Sequence, residues 1–398
     1  MSQRLLPFLL IFSLIGCCIE LDISVPSFPD MAHYFGVSGG VIQLTIAYNA
    51  LGFCLSSLFY GPLSESYGRR NVMIAGNAIL VIGAIGCVFA PSIPFLLASR
   101  FIQGIGASTS AVVTFAMIAD TYKGGQAIRF IGIMNSILTI LMAIAPVIGG
   151  FINEAVGWRG NYSIVAICCL ASWILMFFLL PETKTNCEPF SFKKVRQDYG
   201  KLLSSGKFIS ASLVPSLLCA GYICFVASAS FLYMETFNLS IITYSLHQSS
   251  IVGALSLISI FSDRIIKNVG AVECITKGIY LCLGGISGFV IISLIAPNSP
   301  YLTTSCMIVF AVGFGICYPA IFASSLEIFP EIKGTASSAI MSMRFLLCAF
   351  FTGLASYLYN GHPIMIAIPV LSAIILGYIF TRIILKSDQF SESIAKAA

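Results

Sequence analysis

Long apolar runs alternate with short polar interruptions along the whole chain. Twelve runs reach the roughly 20 residues that a helix needs to cross bilayer hydrocarbon. Their centres lie near Ser13, Phe53, Val81, Ala107, Ile140, Ala171, Cys224, Leu255, Gly284, Val309, Ala349 and Ala373. The polar ends of the eighth and ninth runs blur into their flanks. The expected fold is therefore an all-α membrane protein with twelve transmembrane helices. The first run is not followed by a small-residue cleavage site, so it is read as the first spanning helix and not as a removed signal peptide. The remaining loops are too short to hold a separate soluble domain.

One polar segment is long. Residues 182–207 carry Pro189 and Gly206 as breakers, with Pro181 just before them. They separate an N-terminal six-helix bundle (1–181) from a C-terminal one (208–398). Paired halves of this kind hold a substrate between them in transporters built from repeats.

Composition supports the pattern. The chain is 58% hydrophobic and 9% charged, against roughly 25% charged residues in soluble domains, and its mean hydropathy is +0.96. The net charge of +5 matters less than its placement. If the N-terminus starts in the cytoplasm, all but Arg159, Arg100 and Arg344 of the 21 Lys and Arg residues fall on cytoplasmic loops or adjoining helix ends. The basic face so defined includes Arg4, Lys123, Arg129, Arg264 and Lys396. The positive-inside rule then places both termini in the cytoplasm. The basic run from Lys184 to Lys207 reads as a solvated linker and not as a nucleic-acid site.

The 14 cysteines have no framework spacing; pairs such as Cys17-Cys18 and Cys168-Cys169 sit in apolar helices, where the thiol behaves as a small hydrophobe. His33, His247 and His362 are expected on external loops. There is no H-E-x-x-H pair and no phosphate-binding G-x-x-x-x-G-K-[ST]. No metal, no cofactor and no enzymatic activity are expected.

The most informative segment is Gly61-Pro62-Leu63-Ser64-Glu65-Ser66-Tyr67-Gly68-Arg69-Arg70, a polar loop between the second and third runs. It resembles the signature loop of the major facilitator superfamily, roughly G-x-L-x-D-x-x-G-R-R, with Glu65 where the Asp usually stands. A faint echo, Ser262-Asp263-Arg264-Ile265-Ile266-Lys267-Asn268-Val269-Gly270, occupies the matching place in the second half. Gly61 and Gly68 would permit tight turns and close helix approach, and Glu65 would favour a helix N-terminus. Arg69 would pair with a carboxylate at another helix end, for which Asp120 is the candidate. The resemblance implies that such contacts, with Arg70 beside them, latch the two halves.

The resemblance narrows further. Leu21-Asp22-Ile23-Ser24-Val25-Pro26-Ser27-Phe28-Pro29 and the later Phe35-Gly36-Val37-Ser38 resemble the end of helix 1 in the Bcr/CflA drug-resistance transporters. Gln43-Leu44-Thr45, Leu51-Gly52-Phe53 and Tyr60-Gly61-Pro62-Leu63 resemble their helix 2. The similarity is dense from about Asp22 to Glu182 and thin afterwards; Gly334-Thr335-Ala336-Ser337-Ser338 is the best match in the second half.

A carboxylate inside a spanning segment is costly and by default marks function. Asp22, which matches the acid of that family, is the expected proton carrier, and Glu20 is a second, unassigned candidate. Two residues on a helix are about 200° apart, so the two acids do not face one cavity. Arg100 lies in Ser99-Arg100-Phe101-Ile102-Gln103-Gly104-Ile105-Gly106, which resembles the superfamily motif R-x-x-Q-G-x-G, whose Arg is tied to proton coupling. Arg100 is about 9 Å in from Pro94 at the helical rise, at a depth similar to Asp22, so an Asp22–Arg100 pair is expected. Burial disfavours an ionised carboxyl and a nearby guanidinium favours it; protonating Asp22 would then free Arg100.

Ala145-Pro146-Val147-Ile148-Gly149-Gly150 resembles the G-P-x-x-G-G element of exporters, with Ala for the first Gly. Pro146 would kink the helix, and Gly149 and Gly150 would allow close packing. Three departures from the drug-pump pattern stand out: Ala119 for a basic residue, Ser56-Ser57 for Gly-Gln, and Arg344 where an uncharged residue is usual. A mid-membrane Arg needs a partner or a water-filled cavity. Facing a cavity, Arg344 would favour anionic or zwitterionic substrates; Glu327 is its nearest candidate counter-charge. Tyr48, Asn49, Asn135, Tyr222, Phe225, Tyr318 and Phe322 are further candidates for the cavity wall.

The expectation is a proton-coupled secondary transporter of a bacterial inner membrane, exporting small amphipathic compounds by alternating access. The alternative is a proton-coupled carrier of an endogenous anionic or zwitterionic metabolite, such as a siderophore or amino acid. The partners implied are a small-molecule substrate, protons and the lipid bilayer, with no nucleic acid, and the chain acting as a monomer.

Overall fold

The computed structural model describes residues 5–122, 125–184 and 189–386, without the side chains of residues 125, 127–129, 263 and 330. Arg4, Lys123 and Lys396 of the expected basic face, and the side chains of Arg129 and Asp263, lie outside this description. Every apolar run is a helix. In order these are α1 (Leu6–Asp22), α2 (Gly39–Ser66), α3 (Arg69–Val88), α4 (Ile93–Thr121), α5 (Gly125–Val156), α6 (Trp158–Leu179), α7 (Gly206–Phe231), α8 (Ile241–Val269), α9 (Ala271–Ile295), α10 (Pro300–Leu326), α11 (Lys333–Leu358) and α12 (Pro363–Leu385). Among the described residues, twelve helices are long and apolar enough to span a membrane. Lipid offers no hydrogen bonds, so backbone groups must be satisfied within each helix. No strand occurs among the described residues.

Six helices form each half. Within the first half, glycine sets the distances. Gly52 of α2 lies against the Phe101 carbonyl of α4, Gly104 of α4 against the Asn49 carbonyl of α2, and Gly106 against the Leu80 backbone of α3. Small residues let helices approach closely where no hydrophobic force drives them together. The halves meet along two seams, α2 with α11 and α5 with α8. On the first, Ser356 Oγ donates to the Gly40 carbonyl at 2.6 Å and Ser342 Oγ to the Cys54 carbonyl at 3.0 Å. On the second, Ser256 Oγ donates to the Thr139 carbonyl at 2.8 Å, and Gly150 lies against Ser245.

Four local expectations need correction. Gly61 to Ser66 is not loop but the last turns of α2; the chain turns only at Tyr67 and Gly68, where Gly68 has φ 87°. Continuing the helix keeps its backbone bonded internally as far as the membrane edge. The echo segment is likewise the end of α8, and only Gly270 turns, with φ 93°. The polar linker is not simply solvated: it holds a helix, Phe192–Ser204, whose Leu202 is buried and whose Tyr199 hydroxyl donates to the Leu58 carbonyl at 2.8 Å. Its apolar residues recur at helical spacing within a charged stretch, so one face can dock while the other stays wet. Finally, His247 is on α8 and not in a loop, with Nδ1 2.8 Å from Thr304 Oγ1; His33 is in the short helix Phe28–Phe35, and His362 caps α12.

A side chain at Gly104 would meet the α2 backbone, which cannot move aside as a flexible side chain can. Gly104→Val is expected to cost about 3 kcal/mol or more by overpacking. Thermal unfolding of the detergent-solubilised protein checks this, with Gly132→Val, at a position with open space, as the control.

Candidate functional site

Helix α1 carries both acids and breaks directly after the second. Pro26 and Pro29 follow Asp22, and the chain passes through a 3-10 turn, Val25–Ser27, into the short helix Phe28–Phe35. Glu20 and Asp22 are 3% and 4% exposed. They face opposite ways, as their spacing requires.

Glu20 points into the first half. Its Oε2 lies 3.7 Å from Arg100 Nη1, and its Oε1 accepts from Asn49 Nδ2 at 3.1 Å. Arg100, fully buried, donates from Nη1 to Gln103 Oε1 at 2.7 Å, and its guanidinium sits 5.8 Å from the Tyr162 ring. The expected Asp22–Arg100 pair therefore does not form: Glu20 takes that place, because its face of α1 is the one turned toward α4. The cluster is incompletely bonded. Arg100 Nε and Nη2, Glu20 Oε2 and Gln103 Nε2 have no hydrogen-bond partner. The Glu20–Arg100 contact is thus a charge pair without hydrogen-bond geometry.

Asp22 points the other way, to the junction of the halves. The turn that follows it, Val25–Ser27, packs against α7 and α8, where the Tyr222 and Tyr244 hydroxyls have no partner. No basic side chain pairs with Asp22 among the described residues. The Pro146-Val147-Ile148-Gly149-Gly150 element packs beside it. Gly149 lies against the Ile23 carbonyl, and Gly150 against Ser245, the neighbour of Tyr244. Asn161 Nδ2 ties the Gly149 carbonyl (3.1 Å) to Ser27 Oγ (2.9 Å). This element therefore touches both the break after Asp22 and the opposite half.

At the basic end, Arg69 Nε donates to Asp120 Oδ2 at 2.9 Å and Nη1 to Ser64 Oγ at 2.6 Å, with Glu65 Oε1 3.7 Å from Nη2. Arg70 donates to the carbonyls of Leu180 and Phe177, both at 2.7 Å, at the end of α6. Glu65 does not sit at a helix N-terminus, because α2 runs past it. Glu182 takes that position: its carboxylate accepts from the backbone N–H of Arg69 and Arg70 at 3.0 and 3.1 Å, where the positive end of the α3 dipole favours an anion. These groups belong to the first half or, for Glu182, to the start of the linker, so in this structure they do not join the halves. The contact across at this end is Gly61 against Ser338, in the Gly334–Ser338 stretch of α11.

Arg344 sits mid-way along α11 with no carboxylate partner among the described residues. Glu327 pairs instead with Lys333 at 2.5 Å, since both lie at the basic end. The Arg344 guanidinium rests against the Met341 sulfur and the Cys219 thiol. It lies 5.4, 6.0 and 5.9 Å from the rings of Tyr318, Phe322 and Phe345. Phe345 stacks on Phe53 of the other half at 3.8 Å.

The other candidates for the cavity wall divide. Tyr222 packs on Phe314, and Tyr318 packs on Phe314 and Phe322 beside Arg344. Asn49 belongs to the Glu20 cluster instead. Phe225 is wholly buried against Phe289, inside the second half. Tyr48 is exposed on the same face of α2 as Leu55 and Phe59. Asn135 is exposed on α5, a turn before Thr139.

Two six-helix halves, a signature segment at α2–α3 and an Arg-x-x-Gln-Gly run in α4 coincide here with a sequence match. The Major Facilitator Superfamily family model matches residues 10–353. The chain belongs to this superfamily.

As a superfamily member it is a membrane transporter and not an enzyme. Its relatives include the "Bicyclomycin resistance protein homolog" of Haemophilus influenzae, 24% identical over 84% of this chain and 85% of the relative. The "Chloramphenicol resistance protein CraA" of Acinetobacter baumannii is 24% identical over 97% and 94%, respectively. The "Multidrug resistance protein MdtM" of Escherichia coli is 23% identical over 89% and 87%. Among solved structures, the xylose transporter XylE from E. coli superposes with a TM-score of 0.74 at 14% identity, over 97% of this chain and 98% of its own; this likeness shows the fold.

Glu182, Tyr244 and Gln103 were not singled out in the sequence as site residues. Gln103 had a signal, being the Gln of the quoted motif. Tyr244 and Glu182 had none, because their roles come from the packing of distant segments. The two acids of this superfamily member differ in what they hold. Removing Glu20 leaves Arg100 buried and unpaired, so Glu20→Ala should destabilise the protein by about 3 kcal/mol or more. Asp22→Asn removes no cation's partner and should unfold at or above the wild-type temperature. Thermal unfolding in detergent separates the two.

Proposed function

We propose that this protein is a proton-coupled exporter of small amphipathic compounds in a bacterial inner membrane, working by alternating access. The observation that carries this reading is Asp22: a buried carboxylate with no basic partner, placed where the helices of the two halves meet. A charge there is costly unless something neutralises it, and two things can do so: a proton, or the cationic or polar end of a substrate. Exchange of one for the other is antiport. The resistance-protein names of the relatives support export of drug-like compounds, as does the exporter-type element packed against the Asp22 break.

In this mechanism the Glu20–Arg100 cluster holds α1 to α4 and fixes the depth and direction of Asp22. Neutralising Asp22 changes the electrostatics at the α1–α7–α8 junction, and the halves rock about the α2–α11 and α5–α8 seams. Arg69, Asp120, Glu65, Arg70 and Gly68 bind the α2–α3 turn into a rigid unit, while Gly61 gives that unit a flush surface against α11. That unit is our candidate for the conformational latch. The basic end faces the cytoplasm, with both termini there.

The test is proton movement in inverted membrane vesicles on addition of cationic or neutral drugs. Wild type should release protons, and Asp22→Asn should lose at least about tenfold of that response, as expected when an obligatory proton site is removed. Drug-triggered proton release that persists in folded Asp22→Asn overturns the assignment of Asp22.

A further inference from the structure

Arg344 is a cation in the middle of the membrane, and among the described residues it meets aromatic rings and the Met341 thioether but no carboxylate. Such a residue needs either a partner or a water-filled cavity, and it is only partly buried. Asp22 is its mirror: an anion without a cation. The two are linked by one face of α7. The turn that follows Asp22, Val25–Ser27, packs against α7, and so does α11, which carries Arg344.

The wall between the two charges is aromatic. Tyr222 meets Phe314 at 6.0 Å between ring centroids, Phe314 meets Tyr318 at 5.3 Å, and Tyr318 stacks on Phe322 at 5.8 Å. Tyr318 and Phe322 then flank the Arg344 guanidinium. The ladder thus runs from α7, on which the turn after Asp22 packs, to the basic pole. A ring laid along it gains offset or edge contacts with its neighbours.

We propose that the cavity selects aromatic zwitterions: a carboxylate paired with Arg344, a protonated amine directed to Asp22, and a ring against the Tyr222–Phe314–Tyr318 wall. This inference rests on the export reading and names its substrate class. It is also consistent with proton exchange. A purely anionic substrate would neutralise Arg344 and leave Asp22 free to keep its proton, so the two would travel together. A zwitterion neutralises both poles, and its amine competes with the proton for Asp22.

The probes are 4-(aminomethyl)benzoate, its amide 4-(aminomethyl)benzamide, which lacks the negative charge, and 4-methylbenzoate, which lacks the positive one. Binding is measured on the full chain in lipid nanodiscs. Wild type should bind the zwitterion about tenfold more tightly than either analogue, the size expected for one charge-assisted pair. Arg344→Gln should bind the zwitterion no better than the amide, and Arg344→Lys should restore part of the preference. Asp22→Asn should bind it no better than 4-methylbenzoate. A wild type that does not favour the zwitterion over the amide overturns the proposal. So does an Arg344→Gln protein that weakens all three probes equally, because that marks a structural role. Should Arg344→Gln fail to fold, the wild-type preference and its change in Arg344→Lys decide. Proton release in inverted vesicles is read in parallel. Release with the amide but no zwitterion preference sinks this inference and leaves export standing; zwitterion preference without proton release from any probe sinks the coupled-export reading and leaves the subsite.

Discussion

The cost of an unpaired charge in hydrocarbon orders this structure. Most of the chain is free of charge along its spans, so the few ionised groups within them carry disproportionate weight. Arg100 is wholly buried, and its guanidinium is met by Glu20, Gln103 and the Tyr162 ring. Arg344 and Asp22 are not met by opposite charges and stand instead where the halves face each other. The same rule that forces Arg100 into a cluster makes the other two informative: a charge the fold does not neutralise is left for something that arrives. Arg69 and Arg70, at the membrane edge, can draw on backbone carbonyls and exposed acids, so they serve packing instead.

The fold was legible in the sequence because the bilayer leaves so few solutions. Twelve apolar runs of spanning length allow little but twelve helices, and all twelve expected centres fall inside them. The ends were read less well. A polar stretch such as Gly61 to Ser66 looks like loop by composition, yet a helix can run out of the membrane with its polar residues still helical. Only the positive φ at Gly68 and Gly270 marks the true turns, and glycine identity was the one trace of it in the sequence.

The site was half legible, for a geometric reason. Spacing alone showed that Glu20 and Asp22 point apart, and motif resemblance identified Arg100 as a charged partner. Which acid meets Arg100 depends on the rotation of α1 about its own axis, and no residue pattern in an almost uniformly apolar helix fixes that rotation. The same ambiguity placed Phe225 among the expected cavity residues, when it lies deep in its own half. Arg69 to Asp120 was easier, since both sit at helix ends whose level in the membrane is set by charge.

The distribution of interactions also bears on motion. The ion pairs Arg100 with Glu20, Arg69 with Asp120 and Glu65, Lys277 with Glu273, and Lys333 with Glu327 each lie within one half. Across the seams the hydrogen bonds among the described residues are neutral, such as hydroxyl to carbonyl at Ser356–Gly40, Ser342–Cys54 and Ser256–Thr139. Breaking a buried charge pair strands a charge and costs several kcal/mol, whereas a neutral hydrogen bond contributes about 1 kcal/mol net and can be replaced by water. Each half is therefore stiffened by bonds that are expensive to break, and the halves are joined by bonds that are cheap to exchange. That asymmetry suits rigid halves rocking about a substrate. It also explains why the charges left unpaired are found between the halves, where a small change in neutralisation can bias a nearly balanced equilibrium.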